Sequence, residues 1–163
     1  MTDSTLLPRI SKPGRYLGRE YNAAVTSPAA AALNCALVFP DLYEVGMSHQ
    51  GLQILYHILN REQDIVAERC YCPDLDCEQL LRQQGMPLTT LESARPLAGF
   101  DLIGITLPYE LCHTNILTVL DLAGIPFLAA ERDATFPLLL AGGSCAMNPE
   151  PVAMETLHRF RLE

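Results

Sequence analysis

Leu102-Ile103-Gly104-Ile105-Thr106-Leu107, closed by Pro108, is the stretch whose reading decides the fold. The run carries no charge, is rich in β-branched and aliphatic side chains, and stops at a residue that cannot donate to a ladder, so it reads as a strand buried on both faces. Upstream, Cys35-Ala36-Leu37-Val38-Phe39 before Pro40 has the same character, and so does Pro137-Leu138-Leu139-Leu140-Ala141 before Gly142-Gly143 downstream. Helical periods lie between them. Leu52, Leu55, Tyr56 and Leu59 predict a helix over residues 48–60, with Ser48 as N-cap and Asn60 as stop. Further helices are expected over 75–84, ending at Gly85, and over 111–122, closed by Gly124. Residues 64–70 and 126–130 read as shorter strands, 86–100 as either an extra strand or an irregular insertion, and 151–161 as a last helix. Near-continuous apolar strands alternating with amphipathic helices specify an α/β fold, a doubly wound, mainly parallel sheet with helices on both faces.

The composition agrees. The chain has 163 residues, 49% apolar and 18% charged, which suits one globular domain. Residues 1–32 carry Pro8, Pro13, Gly14, Gly18 and Pro28 without a sustained period and read as an arm outside the core; residues 33–163 form the α/β domain. A formal charge of -8, with Lys12 the only lysine, argues against an extended phosphate-binding surface and so against nucleic acid. Arg9, Lys12, Arg15 and Arg19 read as a solvated cluster on the arm. No apolar run reaches a membrane span and no secretory leader is visible, so the expected location is cytoplasmic and the six cysteines are expected reduced.

In open parallel sheets ligands sit beyond the carboxyl ends of the strands, near the switch in strand order. That rule selects residues 40–48, 108–114 and 142–150. Neither G-x-G-x-x-G nor a P-loop is present, which disfavours nucleotide binding by those routes. His49 and His113 each sit where a strand-end loop enters a helix, positions suited to a base or ligand, or to satisfying a loop carbonyl; His57 reads as a helix-face residue. Asp41, Glu44 and Glu110 would make the crevice acidic, although carboxylates near a helix start also serve as caps. Cys70, Cys72 and Cys77 lack a fourth ligand at a metal-site spacing and read as incidental thiols. Gly142-Gly143 suits either a slot for a flat ring or a tight strand exit.

Asp41-Leu42-Tyr43-Glu44-Val45-Gly46, between the first strand and the first helix, resembles the D-x-H-x-x-G element of cobalamin-binding domains. Thr106 resembles their serine on a later strand, and Gly142-Gly143 their paired glycines. The histidine that ligates cobalt in that family is Tyr43 here, and a phenol is a poor neutral-pH ligand beside an imidazole. The resemblance implies Asp41, Tyr43, Gly46, Thr106, Gly142 and Gly143 as cofactor-binding residues, with cobalamin as the cofactor of this domain, and Glu44, His49 and Glu110 join the expected set from their places in the strand-end loops.

A closer resemblance is to radical SAM proteins, an iron-sulfur oxidoreductase family, that carry a cobalamin-binding-like domain ahead of the radical core. It rests on Leu7-Pro8-Arg9 through Tyr21-Asn22, Phe39-Pro40-Asp41 through Leu55-Tyr56, Leu91-Glu92-Ser93, Tyr109-Glu110 through Pro126, and Ala141-Gly142-Gly143 through Asn148-Pro149-Glu150-Pro151. The resemblance implies a [4Fe-4S] cluster and S-adenosylmethionine in a C-terminal core, held by a C-x-x-x-C-x-x-C triplet that this sequence does not contain. The expectation is therefore a domain that is not catalytic alone and whose partner is its own radical SAM core. The alternative is a degenerate structural domain that has lost the corrin and docks on, or presents substrate to, that core. A homodimer of the fragment is also expected, since an uncovered sheet edge or helix face would self-associate.

Overall fold

The computed structural model describes residues 6–18, 20–24, 31–148 and 150–153. Its centre is a four-stranded, wholly parallel sheet in the order β2-β1-β3-β4. The strands are β1 (Leu33–Phe39), β2 (Ile65–Tyr71), β3 (Leu102–Thr106) and β4 (Leu138–Gly142). The helices are α1 (Tyr43–Gly46), α2 (Gln50–Leu59), α3 (Leu75–Gln84), α4 (His113–Ala123) and α5 (Glu150–Ala153). Leu37, Gly104 and Leu140 stand in one row across β1, β3 and β4, so their side chains share a face. Ala36, Ile103 and Leu139 form the row facing the other way.

The two faces are covered unequally. On one, α3 and α4 pack Cys77, Leu80, Leu81, Ile116, Val119 and Leu120 against Ala36, Val38, Ile103, Ile105 and Leu139. On the other, α2 lays Leu52 and Tyr56 over Cys35, Leu37, Phe39, Ala67 and Tyr71, all on β1 and β2. Over β3 and β4 that second face stays open: Leu102, Gly104, Thr106, Leu138 and Leu140 are half-buried and Gly142 is exposed, whereas Ile103, Ile105 and Leu139 opposite are at most 2% exposed.

Several local expectations need correction. The helix expected over 48–60 forms as α2 and stops at Asn60, but its N-cap is not Ser48. α2 is capped by His49, whose Nδ1 accepts the Leu52 N–H at 3.2 Å, while Ser48 donates its hydroxyl to the Val45 carbonyl. The segment 126–130 is not a strand. Arg132 Nη1 donates to the carbonyls of Pro126 and Phe127 at 2.9 and 3.2 Å, which folds the segment into a turn ending in the 3-10 turn Ala129–Glu131. Within 86–100 no strand forms, and the segment holds an isolated antiparallel bridge, Thr89 to Pro96, and the 3-10 turn Leu97–Gly99. That insertion has a purpose at the β2 edge: the Leu91 N–H donates to the Arg69 carbonyl at 2.8 Å, and the Arg69 N–H donates to Glu92 at 2.7 Å. A strand edge otherwise open to pairing is thereby closed.

The arm is not outside the core. Leu6 and Ile10 are buried in the α3/α4-side cluster, and Arg15 is buried rather than solvated. Gly18 adopts φ +62°, and a Cβ there would meet the Leu91 carbonyl oxygen, so the arm lies directly on the edge-closing loop. Beyond Ala153, the expected last helix lies outside the described residues. Among those residues no helix is long and apolar enough to cross a membrane.

Candidate functional site

The connections after β1, β3 and β4 project from the carboxyl ends of the strands beside the short turn from β2 into α3, as the parallel sheet requires. The switch in strand order falls between β1 and β3. Across it, the Tyr109 hydroxyl donates to Asp41 Oδ2 and Asn115 Nδ2 donates to the Pro40 carbonyl at 3.0 Å. The other Asp41 oxygen accepts the Leu42 N–H at 2.7 Å. Burial, and then this bond to Asp41, push the Tyr109 phenol up to about 12, so it remains a donor at neutral pH.

The loop after β1 is held from the arm side. Tyr43 donates to Glu20 at 2.7 Å and stands edge-on to Tyr71 at 5.4 Å and 80°. Burial, with Glu20 adding to it, pushes the Tyr43 phenol up to about 12. Glu44 accepts from Arg15 at 2.9 Å and from Lys12 at 3.4 Å. Desolvation works the other way, yet the Arg15 and Lys12 hydrogen bonds and the Arg15 charge together keep the Glu44 carboxyl below its ordinary range. Gly46 is buried, and a Cβ there would lie 2.4 Å from the Tyr71 ring and 2.8 Å from Phe39. Its missing side chain therefore makes room for two aromatic rings of the same chain.

Beneath this cluster, Arg69 lies 2% exposed between Glu92 (2.7 Å) and Glu20 (2.5 Å), with its guanidinium carbon 4.5 Å over the Tyr56 ring. Desolvation disfavours the charge, but the two carboxylates outweigh it and raise the Arg69 pKa. Glu68, the adjacent residue on the opposite face, accepts from the hydroxyls of Thr90 (2.5 Å) and Ser93 (2.7 Å).

An open cleft of about 440 Å³ lies on the uncovered face. Gly104, Thr106, Leu140 and Gly142 form its floor, with Leu37, while His49, Gly51, Leu52 and Leu55 of the α2 segment form one wall and Gly143 the end. A Cβ on Gly142 would meet nothing within 4 Å. Ile54, Leu55 and Ile58 are about half exposed beside it, so an apolar band runs from the cleft onto the outer surface of α2. A second, more polar hollow of about 290 Å³ lies by the β3 and β4 loops, lined by Tyr109, Glu110, His113, Ser144, Cys145 and Asn148 among others.

The expected site residues thus divide. His49, Thr106, Gly142 and Gly143 share the cleft; Glu110 lines the second hollow; Asp41, Tyr43, Glu44 and Gly46 are engaged in contacts within the chain. Sequence reasoning missed Gly104, Leu140 and Leu55, and a glycine inside an otherwise apolar strand was the available signal. Cys70, Cys72 and Cys77 are buried with their thiol pKa values raised, chiefly by desolvation, and among the described residues no group of three His, Cys, Asp or Glu side chains is placed to hold a metal. The donor set does not fit cobalt ligation from the β1 loop, since Tyr43 is a neutral phenol turned to Glu20 and the His49 Nδ1 is occupied as a helix cap.

Neither a curated protein nor a solved structure matches the chain. One family does match, described as radical SAM proteins, N-terminal, over residues 51–156. That span runs from the first turn of α2 past β4 and includes most of the cleft, while the β1 loop lies outside it. It covers more than half of the 163 residues, and the chain accordingly belongs to the family of radical SAM protein N-terminal domains.

Proposed function

We propose that this domain is a non-catalytic partner of a radical SAM core, and that it meets the core through the uncovered β3–β4 face and the apolar band of α2. The observation that carries the reading is the unequal covering of the sheet. A parallel sheet is normally buried on both faces, and here Gly104, Leu140, Leu55, Ile54 and Ile58 present apolar surface where a covering layer belongs. The polar residues of the β1 loop, by contrast, are engaged within the chain and offer little to a partner.

The test is site-specific photo-crosslinking in the full-length protein, with benzoylphenylalanine at Ile58 and, for comparison, at Leu75 on α3, which is also exposed. Ile58 should crosslink to a peptide from outside residues 1–163, and Leu75 should not. Failure of Ile58 to give such a crosslink, or equal yield from both positions, overturns the reading. Cobalamin held without a protein ligand to cobalt is the second reading, favoured by the presence of His49, Thr106, Gly142 and Gly143 in one cleft. Stoichiometric retention of hydroxocobalamin through gel filtration would select it.

A further inference from the structure

We infer that the loop after β1 is a clasp for the N-terminal arm, and that neither it nor the helix cap that follows supplies a ligand to cobalt. The inference is independent of which partner or ligand covers the β3–β4 face. It rests on where the polar groups of residues 41–49 go.

Two fastenings join this loop to the arm. In the first, Glu20 bridges two elements, one oxygen accepting from Tyr43 at 2.7 Å and the other from Arg69 Nη1 at 2.5 Å. In the second, Arg15 bridges Glu44 at 2.9 Å and Asp74 at 2.5 Å, joining the arm to the starts of α1 and α3 together. The arm between these contacts is kept close by Tyr16, whose hydroxyl accepts the Asp74 N–H at 3.1 Å, and beyond them by the Ala24 N–H, which donates to Tyr56 at 2.7 Å. Charge-assisted bonds to largely buried partners hold much more strongly than exposed surface pairs. A loop fastened in this way has Tyr43 and Glu44 turned toward the arm, while Asp41 is held by Tyr109.

The same geometry removes both candidate cobalt ligands. Tyr43 would have to leave Glu20 and the Tyr71 ring to reach the rim. For His49, the Leu52 N–H must find a lone pair on Nδ1, so in the neutral ring the proton resides on Nε2. A metal at Nε2 would need a lone pair on Nε2 itself, which the ring can offer only by moving that proton to Nδ1 and losing the cap, or by giving up its last proton. Gly51 makes room for the arrangement, because a Cβ there would lie 3.0 Å from the His49 ring.

Two measurements on the full chain test the two halves. For the ligand half, the probe is cob(II)inamide, which has no base of its own, so nitrogen hyperfine splitting in its electron paramagnetic resonance spectrum reports a protein imidazole. Wild type and Tyr43→His should give the same unsplit signal, since an imidazole at position 43 would still face Glu20. Nitrogen splitting that appears in Tyr43→His but not in wild type overturns the inference. For the clasp half, trypsin cleavage after Arg15, buried in the fastening, is compared with cleavage after exposed Arg61 in the same molecule. Tyr43→Phe, which keeps the ring and deletes one hydrogen bond to a carboxylate, should raise the ratio about tenfold, and Glu20→Ala should raise it further. A ratio unchanged in Tyr43→Phe refutes the clasp, and that variant keeps the test decisive even if Glu20→Ala unfolds.

Discussion

Replacing Gly46 with alanine separates two explanations of the β1 loop. If the glycine is there to let a cofactor approach, Gly46→Ala should leave the unfolding free energy of the cofactor-free chain unchanged. The structure predicts a loss. The added Cβ would lie 2.4 and 2.6 Å from two Tyr71 ring carbons and 2.8 Å from Phe39, and these rings are only 6% and 1% exposed. Neither can swing into solvent, so the methyl group must displace packed side chains or α1 itself. Overpacking of this kind costs about 1–3 kcal/mol, and three contacts below 3.0 Å on two buried rings place Gly46→Ala in the upper half, about 2–3 kcal/mol. For a chain of this size that is a fall in Tm of roughly 4–12 °C. Urea unfolding followed by far-ultraviolet circular dichroism measures it, with Gly142→Ala as the matched control because its Cβ enters open space. The same assay on Gly46→Ala/Tyr71→Leu supplies a double-mutant cycle. Removing the obstructing ring should make the double variant more stable than the sum of the singles by about 1 kcal/mol or more. A Gly46→Ala free energy within about 0.5 kcal/mol of wild type, or strict additivity in the cycle, would refute the packing explanation.

Two further outcomes follow from the charged groups. Arg69→Met removes the cation between Glu20 and Glu92 and leaves carboxylates in a largely buried place, so it should destabilise by about 3–5 kcal/mol in urea unfolding, and a loss below about 1 kcal/mol would show that the cluster is already hydrated. Asp74, held low by Arg15, and Glu44, held low by Arg15 and Lys12 against desolvation, both have folded pKa values below their unfolded ones. Their contribution is therefore complete above the unfolded values near ~4 and disappears as pH falls through the depressed folded values. Urea midpoints should be level between about pH 5 and 7 and drop by pH 3, and Arg15→Met should flatten that drop; an equally steep drop in Arg15→Met would remove the network as its cause.

The sheet was legible because three of its strands are apolar on both faces, a pattern that neither a helix stripe nor an exposed strand produces. β2 was read despite Glu68 and Arg69, whose burial no local pattern announces: their partners, Thr90, Ser93, Glu92 and Glu20, come from the edge loop and the arm. Residues 126–130 were misread for the complementary reason. Their apolar run looked like a strand, but two of its carbonyls accept from Arg132. The arm hid its role because Leu6 and Ile10 enter the core singly, without a period. At the site, the strand-end rule found the glycine pair, the entry of a loop into a helix pointed to His49, and the resemblance to cobalamin-binding domains pointed to Thr106, while the direction of Tyr43 depended on Glu20, a tertiary partner invisible in a local motif.

The two edges of the sheet carry opposite instructions. At β2 the ladder ends against residues 91 and 92, the arm lies over that loop, and Arg69 ties arm, loop and strand into one charged joint. At β4 the pairing with β3 is satisfied on one side, the α2-facing surface is half-buried, and the cleft opens beside it. Detaching the arm would leave the β2 edge covered by residues 91 and 92 without their support, with Leu6 and Ile10 withdrawn from the core, and would loosen the closure that confines binding to the β4 side. The clasp and the uncovered face thus belong to one design requirement: closing one edge fixes the side on which another layer can be added. An arm-released variant such as Glu20→Ala should consequently broaden the crosslinks of the full-length protein toward β2, whereas a clasp serving stability alone would lower their yield without changing their positions.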